Sequence, residues 1–360
     1  MTSFAEEANE AADDVAAARA EAKIADVRRD RDAARQALKV SQAELESLSA
    51  RLHMVEQISD MDPSPPKWLT PKRTPSAHHA TVTTILSDCH FDEVVNPDEL
   101  GGVNAYNRDI ATIRLRRYFD QVVSLPRDYM AGVTFDGCVQ MLGGDLVGGA
   151  IHEELAQTNA DSILGTVLYW TEQICAGIYM EADVFGHVHV PVVPGNHGRL
   201  TRKPRAKGRA RDNFDWLIGQ LVAREFRDDP RVTFDVPDAF FTQWDIYGTT
   251  YHLQHGDNTS GGGGWMGPLG PVMRHQVKVE AVGNAVKAPF DHMVVGHWHT
   301  YVNLPRGTIN GSLKGYDEYA MTKAFSFEEP IQALWLTTPE RGITMRSPIY
   351  CAADRKKEGW

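Results

Sequence analysis

Cysteine is scarce in this sequence, and long apolar runs are absent. The 360 residues include four cysteines, Cys89, Cys138, Cys175 and Cys351, which lie far apart and form no Cys-x-x-Cys pair. Such spacing argues against a disulfide framework and favours a reducing compartment. No apolar run is long enough to cross a bilayer, and the acidic, alanine-rich N-terminus is unlike a signal peptide. We therefore expect a cytoplasmic protein that does not contact a membrane.

Net positive charge is also lacking. Acidic residues number 48 against 37 lysines and arginines, which gives a formal net charge of −11. This charge argues against indiscriminate binding of polyanions by the whole surface, although it leaves room for a local basic groove. With 42% hydrophobic residues, the chain is long enough to bury a large core, so we expect one large domain and an additional segment.

The first 60 residues lack both glycine and proline and are rich in residues that favour helix. Their apolar residues follow alternating three- and four-residue steps, at Ile24, Val27, Ala34, Leu38, Leu45, Leu48, Leu52 and Val55. A stripe this narrow is typical of a coiled-coil seam. The sequence therefore predicts a helix over residues 1–60 that forms a homo-oligomer through its second half. The alternatives are a helix packed against the domain and one that frays over its alanine-rich first half.

Proline separates this helix from the rest of the chain. Five prolines between residues 61 and 80 predict an extended linker. A globular domain is predicted over residues 81–350, followed by a tail at 351–360. Hydrophobic patterning predicts helices within the domain at about 104–123, 161–180, 213–226 and 273–287. Four glycines at 261–264 predict a flexible loop, which in a functional interpretation closes over the substrate.

Polar clusters follow five β-rich runs of this domain. Asp88 and His90 follow the run Thr81–Leu86, Asp145 follows Gly137–Leu142, Asn196 and His197 follow Val188–Val193, His255 follows Thr250–Gln254, and His297 and His299 follow Asp291–Val295. A lone histidine or Gly-Asp pair is usually structural, but five such clusters are not expected by chance. Buried strands present reactive groups on the loops at their C-terminal ends. Carboxylate, amide and imidazole ligands without thiolate suit Mn²⁺, Fe or Zn²⁺.

The ordered set Asp-x-His, Gly-Asp, Gly-Asn-His, His and Gly-His-x-His resembles the motifs of the calcineurin-like metallophosphoesterase superfamily. The resemblance covers about residues 81–300 and the closing strands, and it excludes the N-terminal helix and the linker. It implies an α/β (α+β) fold, a four-layer sandwich of two mixed β-sheets flanked by helices. It also implies a dinuclear metal site at the strand ends.

The resemblance also implies a role for each polar residue. The first ion would bind Asp88, His90 and His299, the second would bind Asn196, His255 and His297, and Asp145 would bridge the two ions. His197 would be the general acid or the group that stabilises the phosphate during transfer. Two divalent ions are expected, Mn²⁺ first, with Fe, Zn²⁺ or Mg²⁺ as alternatives. Such a pair activates a nucleophile and neutralises charge at phosphorus, as phosphodiester hydrolysis requires.

Two departures from the family's pattern bear on the substrate. Gly198 stands where many relatives carry an acidic residue after Gly-Asn-His, so the usual orienting partner of His197 is missing. The sequence Leu-Val-Gly-Gly follows Asp145 in place of the Asp-Arg-Gly continuation of Ser/Thr protein phosphatases. The sequence therefore argues against a protein phosphatase.

A run of basic residues follows the Gly-Asn-His loop. The segment 199–211 contains seven lysines and arginines and no acidic residue. Candidate contacts to a phosphate-bearing polymer are Arg199, Arg202, Lys203, Arg205 and Lys207. The favoured function is a metal-dependent phosphodiesterase that acts on DNA or RNA. The alternatives are an esterase for small nucleotides and a non-catalytic oligomeric scaffold, against which the full set of candidate ligands argues.

Overall fold

The computed structural model describes residues 66–69, 78–149, 151, 153–259, 267 and 269–360, with scattered positions between 23 and 49. The chain forms two compact units, residues 1–56 and residues 57–360. In the first unit every described position is helical, and Leu38 and Leu45 are exposed. Most of the predicted linker and the four glycines at 261–264 lie outside the described residues. So do five residues of the predicted seam: Ile24, Val27, Leu48, Leu52 and Val55. Self-association through the N-terminal helix stays a prediction.

The first β-sheet of the second unit is built around β1 (His78–Leu86). Its other strands are β2 (Val133–Leu142), β3 (Val188–Pro191), β4 (Val232–Asp235), β10 (Ile331–Thr338) and β11 (Gly342–Tyr350). Within the described part of the chain the order is β11-β10-β1-β2-β3-β4. Strands β1 to β4 pair in parallel, whereas β10 runs antiparallel to β1 and β11. The carboxyl ends of β1, β2 and β3 therefore lie at one edge of the sheet.

The second β-sheet is also mixed. It consists of β5 (Phe241–Ile246), β6 (Thr249–Gln254), β7 (His292–Val295), β8 (Val302–Leu304) and β9 (Gly307–Ile309). As far as the chain is described, the order is β5-β6-β7-β9-β8, in which β6, β7 and β9 are parallel neighbours. The carboxyl ends of β6 and β7 thus share an edge, as those of β1 to β3 do in the first sheet.

Apolar side chains from both sheets form a common core. Ile85 of β1 and Val139 of β2 pack with Leu253 of β6 and Val294 of β7. Because side chains alternate between the two faces of a strand, Leu86 of β1 points the other way and packs in the core beneath the helices. Strand β1 is therefore buried on both faces, as its apolar sequence predicts.

Helices cover the outer face of each sheet. Long helices α1 (Arg108–Tyr129), α3 (Ile163–Phe185) and α4 (Phe214–Glu225) share a core with the first sheet. Helix α5 (Leu269–Ala285) packs its Val272 and Val279 against Met293 and Ile309 of the second sheet. The shorter elements are α2 (Glu153–Thr158), α6 (Glu318–Thr322), α7 (Arg355–Glu358) and the 3₁₀ turns Lys67–Leu69 and Pro97–Leu100. The predicted sandwich of two mixed sheets flanked by helices is confirmed. None of the described helices has both the length and the apolar character that a membrane span requires.

The first long helix begins and ends later than the predicted range of about 104–123. Asn107 caps α1, because its side-chain oxygen accepts a hydrogen bond of 2.9 Å from the backbone N–H of Ile110. An N-cap residue lies outside the helix, so the helix starts at Arg108. Pro126 lies within the last turn of α1 and does not end it.

Residues after 350, predicted as a tail, include a helix that packs on the domain. Glu358 of α7 accepts two hydrogen bonds of 3.0 Å from the guanidinium of Arg114, and each side chain of this ion pair is 1% exposed. Removing one partner of a buried ion pair costs about 3–5 kcal/mol. The end of the described chain therefore contributes to the stability of the second unit.

Candidate metal centre

The predicted ligands follow strands of both sheets and meet where those strands end. The strands of the first sheet are followed by Asp88 and His90 (after β1), Asp145 (after β2), and Asn196 and His197 (after β3). The strands of the second sheet are followed by His255 (after β6) and by His297 and His299 (after β7). Each of these aspartates and histidines belongs to at least one group of three residues, and the ligand atoms of a group lie within 4.8 Å of one another. Asn196, which offers an amide, belongs to none of these groups. The structure thus brings together the residues that the motifs singled out.

The first group contains Asp88, His90 and His299. The Nε2 atoms of the two histidines are 3.1 Å apart, and His299 Nε2 lies 3.4 Å from Asp88 Oδ1. Two imidazole lone pairs at this distance repel each other unless a proton or a metal ion lies between them. This geometry fits one cation held by three ligands.

The second group contains Asp145, His255 and His297. His255 Nε2 lies 3.0 Å from Asp145 Oδ2, and the ring centroids of His255 and His297 are 5.3 Å apart. Asp145 also belongs to a third group, with His90 and His197. Its carboxylate therefore lies between the two groups, as a bridging ligand must.

Asn196 presents a buried acceptor that no described residue satisfies. Its Oδ1 atom is buried and has no hydrogen-bond partner. A buried polar atom normally has a partner, so this oxygen is suited to a metal ion. The preceding residue, Gly195, packs so closely on Asp145 that a Cβ atom there would overlap the Asp145 carboxylate. Asn196 therefore directly follows a residue that packs on the Asp145 carboxylate.

Neighbouring groups orient the candidate ligands. Asp88 accepts hydrogen bonds from the hydroxyl of Ser87, at 2.5 Å, and from the backbone N–H of His297, at 2.8 Å. His255 donates its Nδ1 proton to the carbonyl of Gly143, at 2.9 Å, which leaves Nε2 directed at Asp145. His90 Nδ1 lies 3.2 Å from Glu93. Such contacts fix the tautomer and direction of metal-binding histidines.

The electrostatics of the centre favour a bound cation. Burial lowers the pKa of both His90 and His297 to about 4, so these imidazoles are neutral near pH 7 and offer lone pairs. Burial disfavours the cationic form of His255, but the Asp145 carboxylate outweighs this effect and raises the pKa of His255 to about 10. In the same way His255 holds the pKa of Asp145 well below its usual value, against the effect of burial. Near pH 7 His255 therefore keeps a proton that a bound metal ion would displace, because imidazole binds a metal in its neutral form.

Most of the candidate ligands have a left-handed backbone. Asp88, His90, Asp145, His297 and His299 have φ values between 47° and 67°. This conformation is uncommon for residues with a side chain and is concentrated at functional sites. Here it turns each side chain back toward the strand edge directly after the strand ends. Gly296 also allows close approach, because a Cβ atom there would overlap the Asp88 carboxylate.

His197 lies beside both groups. Its Nδ1 atom is 2.9 Å from the carbonyl of Gly148, and because a carbonyl only accepts, Nδ1 is the donor. Its ring meets that of His90 edge-on, with centroids 4.4 Å apart, and its backbone N–H donates to Asp145 Oδ1 over 2.6 Å. Burial lowers the pKa of His197. The Gly148 carbonyl thus orients this ring, although Gly198 supplies no carboxylate.

The five predicted contacts in the basic segment divide into two kinds of residue, while Arg209 and Arg211 form ion pairs with Asp257 and Asp238. Arg199 donates to the carbonyl oxygens of Asn196, at 2.8 Å, and Thr201, at 3.0 Å, so it holds the loop against the centre. Arg202, Lys203, Arg205 and Lys207 are exposed and form no ion pair with a described residue. Of these four, Arg205 and Lys207 line a pocket together with Asn196.

Asp215 is a supporting residue that sequence reasoning missed. Its buried carboxylate accepts hydrogen bonds from the backbone N–H groups of Asp145, Leu146 and Gly195, at 3.0, 3.1 and 2.8 Å. It therefore joins the loop after β2 to the loop after β3. Burial and the nearby Asp145 raise the pKa of Asp215 to about 6. In the sequence, Asp215 is an ordinary acidic residue in the first turn of a helix, which gives no signal of this role.

A buried lysine that no sequence motif indicated supports His90 through Glu93. Lys314 Nζ lies 2.8 Å from Glu93 and 2.5 Å from Asp317, and Glu93 in turn contacts His90. Burial disfavours the charged form of Lys314, but Glu93 and Asp317 outweigh it and raise the pKa of this lysine. The chain of contacts keeps Glu93 ionised and directed at His90.

Comparisons with known proteins add little to this geometry. No protein-family model and no curated protein matches the chain. Among solved structures, it is similar to a conserved uncharacterized protein of Streptococcus pneumoniae described as a predicted phosphoesterase, at 10% identity and a TM-score of 0.27 over 75% of this chain and 97% of that one. Wild-type Vps29 of Entamoeba histolytica, complexed with zinc, gives 10% identity and a TM-score of 0.29, over 75% and 99%.

A third similar structure is the sulfate thiohydrolase SoxB of Thermus thermophilus in complex with glycerol. It gives 10% identity and a TM-score of 0.29, over 77% of this chain and 57% of that one. TM-scores this low do not support a family assignment. We therefore base the proposed function on the arrangement of the ligand groups.

Proposed function

We propose that this protein is a metal-dependent phosphoester hydrolase that acts as a phosphodiesterase on DNA or RNA. The observation that carries the proposal is the position of Asp145 between two groups of potential ligands. Each group combines a carboxylate with two histidines, and no thiolate takes part. This donor set suits Mn²⁺, Fe or Zn²⁺, and we expect Mn²⁺ to support activity.

Two bound ions would activate a water molecule and neutralise the charge of the phosphate. The chain's own residues prepare the site for them. Glu93 and the Gly143 carbonyl direct Nε2 of His90 and His255 inward, and the Ser87 hydroxyl directs the Asp88 carboxylate. A pre-oriented set of ligands lowers the cost of reorganisation during the reaction.

We assign to His197 the proton transfer to the leaving oxygen. Its Nδ1 proton is directed at the Gly148 carbonyl, and burial lowers its pKa, so Nε2 is the atom that must first take up a proton and then pass it to the leaving oxygen. General acid catalysis contributes about 10²–10⁴-fold in rate. Because its ligand atom also lies within 4.8 Å of those of His90 and Asp145, a test must separate this role from metal binding.

The nucleic-acid part of the proposal is supported by the exposed basic residues. Arg202, Lys203, Arg205 and Lys207 follow the Asn196–His197 loop and form no ion pairs with described residues. Unpaired cations beside a phosphate-cleaving site attract a polyanion and release its counterions. The net charge of −11 makes this local concentration of positive charge distinctive.

The experiment is a substrate panel with Mn²⁺, measured before and after chelation. It contains single-stranded DNA, duplex DNA, RNA, cyclic nucleotides and bis(p-nitrophenyl) phosphate. We expect metal-dependent cleavage of a nucleic acid, with a rate that falls steeply as salt rises. Cleavage of cyclic nucleotides alone would replace the nuclease with a small-nucleotide esterase. A protein that neither binds metal nor cleaves any substrate would be a scaffold.

The His197→Ala variant tests the proton-transfer assignment. It should lose about a hundredfold or more in rate on nucleic acid, lose less on a p-nitrophenyl ester, and keep the metal content of the wild type. The control is His187→Ala, an exposed histidine that precedes β3, at the opposite end of that strand from His197, and belongs to no ligand group. Loss of one bound ion in the His197 variant would instead make His197 a ligand.

A further inference from the structure

The basic loop, residues 199–212, forms a pocket. Hydrogen bonds close its base, because Leu200 N–H donates to Asp212 O over 2.9 Å and Phe214 N–H donates to Gly198 O over 2.7 Å. Above this base, the loop, Asn196 and Asp257 line a small recess that opens to solvent. The pocket is therefore bounded on one side by a candidate metal ligand.

The pocket carries more cationic than anionic groups. Its charged lining consists of Arg199, Arg205, Lys207 and Arg209 against Asp212 and Asp257. Arg209 is engaged by Asp257 in an ion pair, so these two charges largely cancel. Arg205 and Lys207 are exposed and form no ion pair with a described residue. Their charges are therefore available to an anionic ligand.

Arg199 fixes this pocket relative to the metal centre. Its guanidinium donates to the Asn196 and Thr201 carbonyls, and no described carboxylate pairs with it. The loop is thus held to Asn196, whose buried amide oxygen is a candidate metal ligand. An anion in the pocket would lie at a defined position beside the phosphate that is cleaved.

We propose that this pocket binds a second phosphate of the substrate, one that is not hydrolysed. The inference rests on the proposed function and narrows the substrate to a strand in which a sugar separates neighbouring phosphates. Arginine and lysine bind phosphate through charge-assisted hydrogen bonds. Arg202 and Lys203 belong to the same loop but do not line the pocket, so they provide a matched comparison with equal charge.

Calorimetric titration with three thymidine nucleotides tests the pocket. The probes are thymidine 5′-phosphate, thymidine 3′,5′-bisphosphate and its isomer thymidine 5′-diphosphate. We expect the 3′,5′-bisphosphate to bind the wild type about tenfold or more tightly than the 5′-phosphate, since one charge-assisted contact is sufficient for this difference. The Arg205→Ala/Lys207→Ala variant should lose the difference, whereas Arg202→Ala/Lys203→Ala should keep it. Asp212→Asn removes a carboxylate that opposes anion binding, so it should enlarge the difference in affinity between the two nucleotides.

Three results would overturn the inference. Equal binding of the 5′-phosphate and the 3′,5′-bisphosphate by the wild type would show that no second subsite exists. An equal loss of this affinity difference in the two double variants would show that the overall positive charge of the loop, and not the pocket, attracts the second phosphate. Tighter binding of the 5′-diphosphate than of its isomer would assign the pocket to the polyphosphate chain of a small nucleotide.

Hydrolysis of the p-nitrophenyl ester of thymidine 5′-phosphate separates this inference from the proposed function. If the protein cleaves the ester but binds the three nucleotides equally, the proposed hydrolase activity stands and the phosphate-binding pocket is ruled out. If the protein binds the 3′,5′-bisphosphate selectively but cleaves no ester, the phosphate-binding pocket stands and the proposed hydrolase activity is ruled out.

Discussion

Asp145 belongs to two of the three groups of potential ligands, and the proposed function assigns it to both ions. Its two carboxylate oxygens contact different partners, the His197 N–H at 2.6 Å and His255 Nε2 at 3.0 Å. Asp145→Asn keeps the shape and tolerates the left-handed backbone, but it removes the charge and one acceptor. We expect it to abolish metal binding and hydrolysis together while the far-ultraviolet circular dichroism spectrum stays unchanged.

Asp92→Asn is the control for this variant. Asp92 is buried and has a left-handed φ of 67°, but it contacts Arg108 and Thr166 and belongs to no ligand group. The Asp92→Asn protein should have a lower melting temperature than the wild type but the same metal content. Normal Mn²⁺-dependent turnover by Asp145→Asn would rule out the bridging role.

Asp215 positions two loops of the centre through three backbone hydrogen bonds. Asp215→Asn leaves one acceptor oxygen and turns an amide toward N–H donors, so we expect a loss of about 1–3 kcal/mol in the free energy of unfolding. Metal affinity, titrated at a temperature at which the variant is folded, should fall as well.

Asp109 offers a closely matched control for Asp215. Both residues are second in a helix that an asparagine caps, but Asp109 is exposed. Asp109→Asn should cost only about 0.3–1 kcal/mol, the usual effect of a charge at a helix N-terminus, and should leave metal affinity unchanged. If both variants bound metal as the wild type does, Asp215 would have no positioning role.

At the scale of elements, helix α3 carries an acidic residue that works against folding. Glu181 is fully buried and neither of its oxygens has a hydrogen-bond partner among the described residues. Burial raises its pKa well above 4.5. Between pH 4.5 and this higher value the unfolded chain has lost the proton and the folded chain keeps it, so stability falls as pH rises.

Glu181→Met should therefore raise the free energy of unfolding by about 1–3 kcal/mol at pH 7 and remove this part of the pH dependence. Denaturant titrations at several pH values between 4 and 9 measure both effects. The exposed Glu172 on the same helix serves as the control, because Glu172→Gln should leave the pH profile as it is. An identical pH profile in Glu181→Met would show that the carboxyl has an unrecognised partner.

The sequence predicted the strands of the centre more accurately than the helices around it. Strands β1, β2, β6 and β7 end at the predicted residues because β-branched runs stop at polar or glycine residues there. The start of α1 depends on the Asn107 cap, which competes with several other polar residues in the same stretch. Packing of α7 depends on the Arg114–Glu358 ion pair, whose members lie far apart in the sequence.

The same distinction applies within the site. Ordered motifs predicted which histidines and aspartates meet, because each one directly follows a strand whose place the core determines. Asp215 and Lys314 were not predicted, because their roles come from contacts between loops. The roles of the ligands themselves, and the metal they bind, stay predictions.

At the scale of the whole molecule, the N-terminal segment is expected to determine the oligomeric state. Leu38 and Leu45 are 59% and 64% exposed and lie one heptad apart. Removing residues 1–60 should lower the mass measured by light scattering and leave hydrolysis of a small diester intact, since no candidate ligand lies there.

Point variants provide a finer test in the full chain. Leu38→Asp/Leu45→Asp should dissociate the oligomer, whereas Val40→Asp, at a position that is 52% exposed but off the stripe, should not. An unchanged mass in the truncated protein would mean that the segment does not self-associate.

The first and second ligand groups each draw residues from both sheets. Asp88, His90 and Asp145 follow strands of the first sheet, and His255, His297 and His299 follow strands of the second. A bound ion would therefore cross-link two layers that already share an apolar core and hydrogen bonds such as that from the His297 N–H to Asp88. A ligand of the native state adds about 2.7 kcal/mol of stability at a hundredfold excess over its Kd. Chelators should accordingly lower the melting temperature and accelerate digestion by proteases, so that the lifetime of the protein follows the supply of metal.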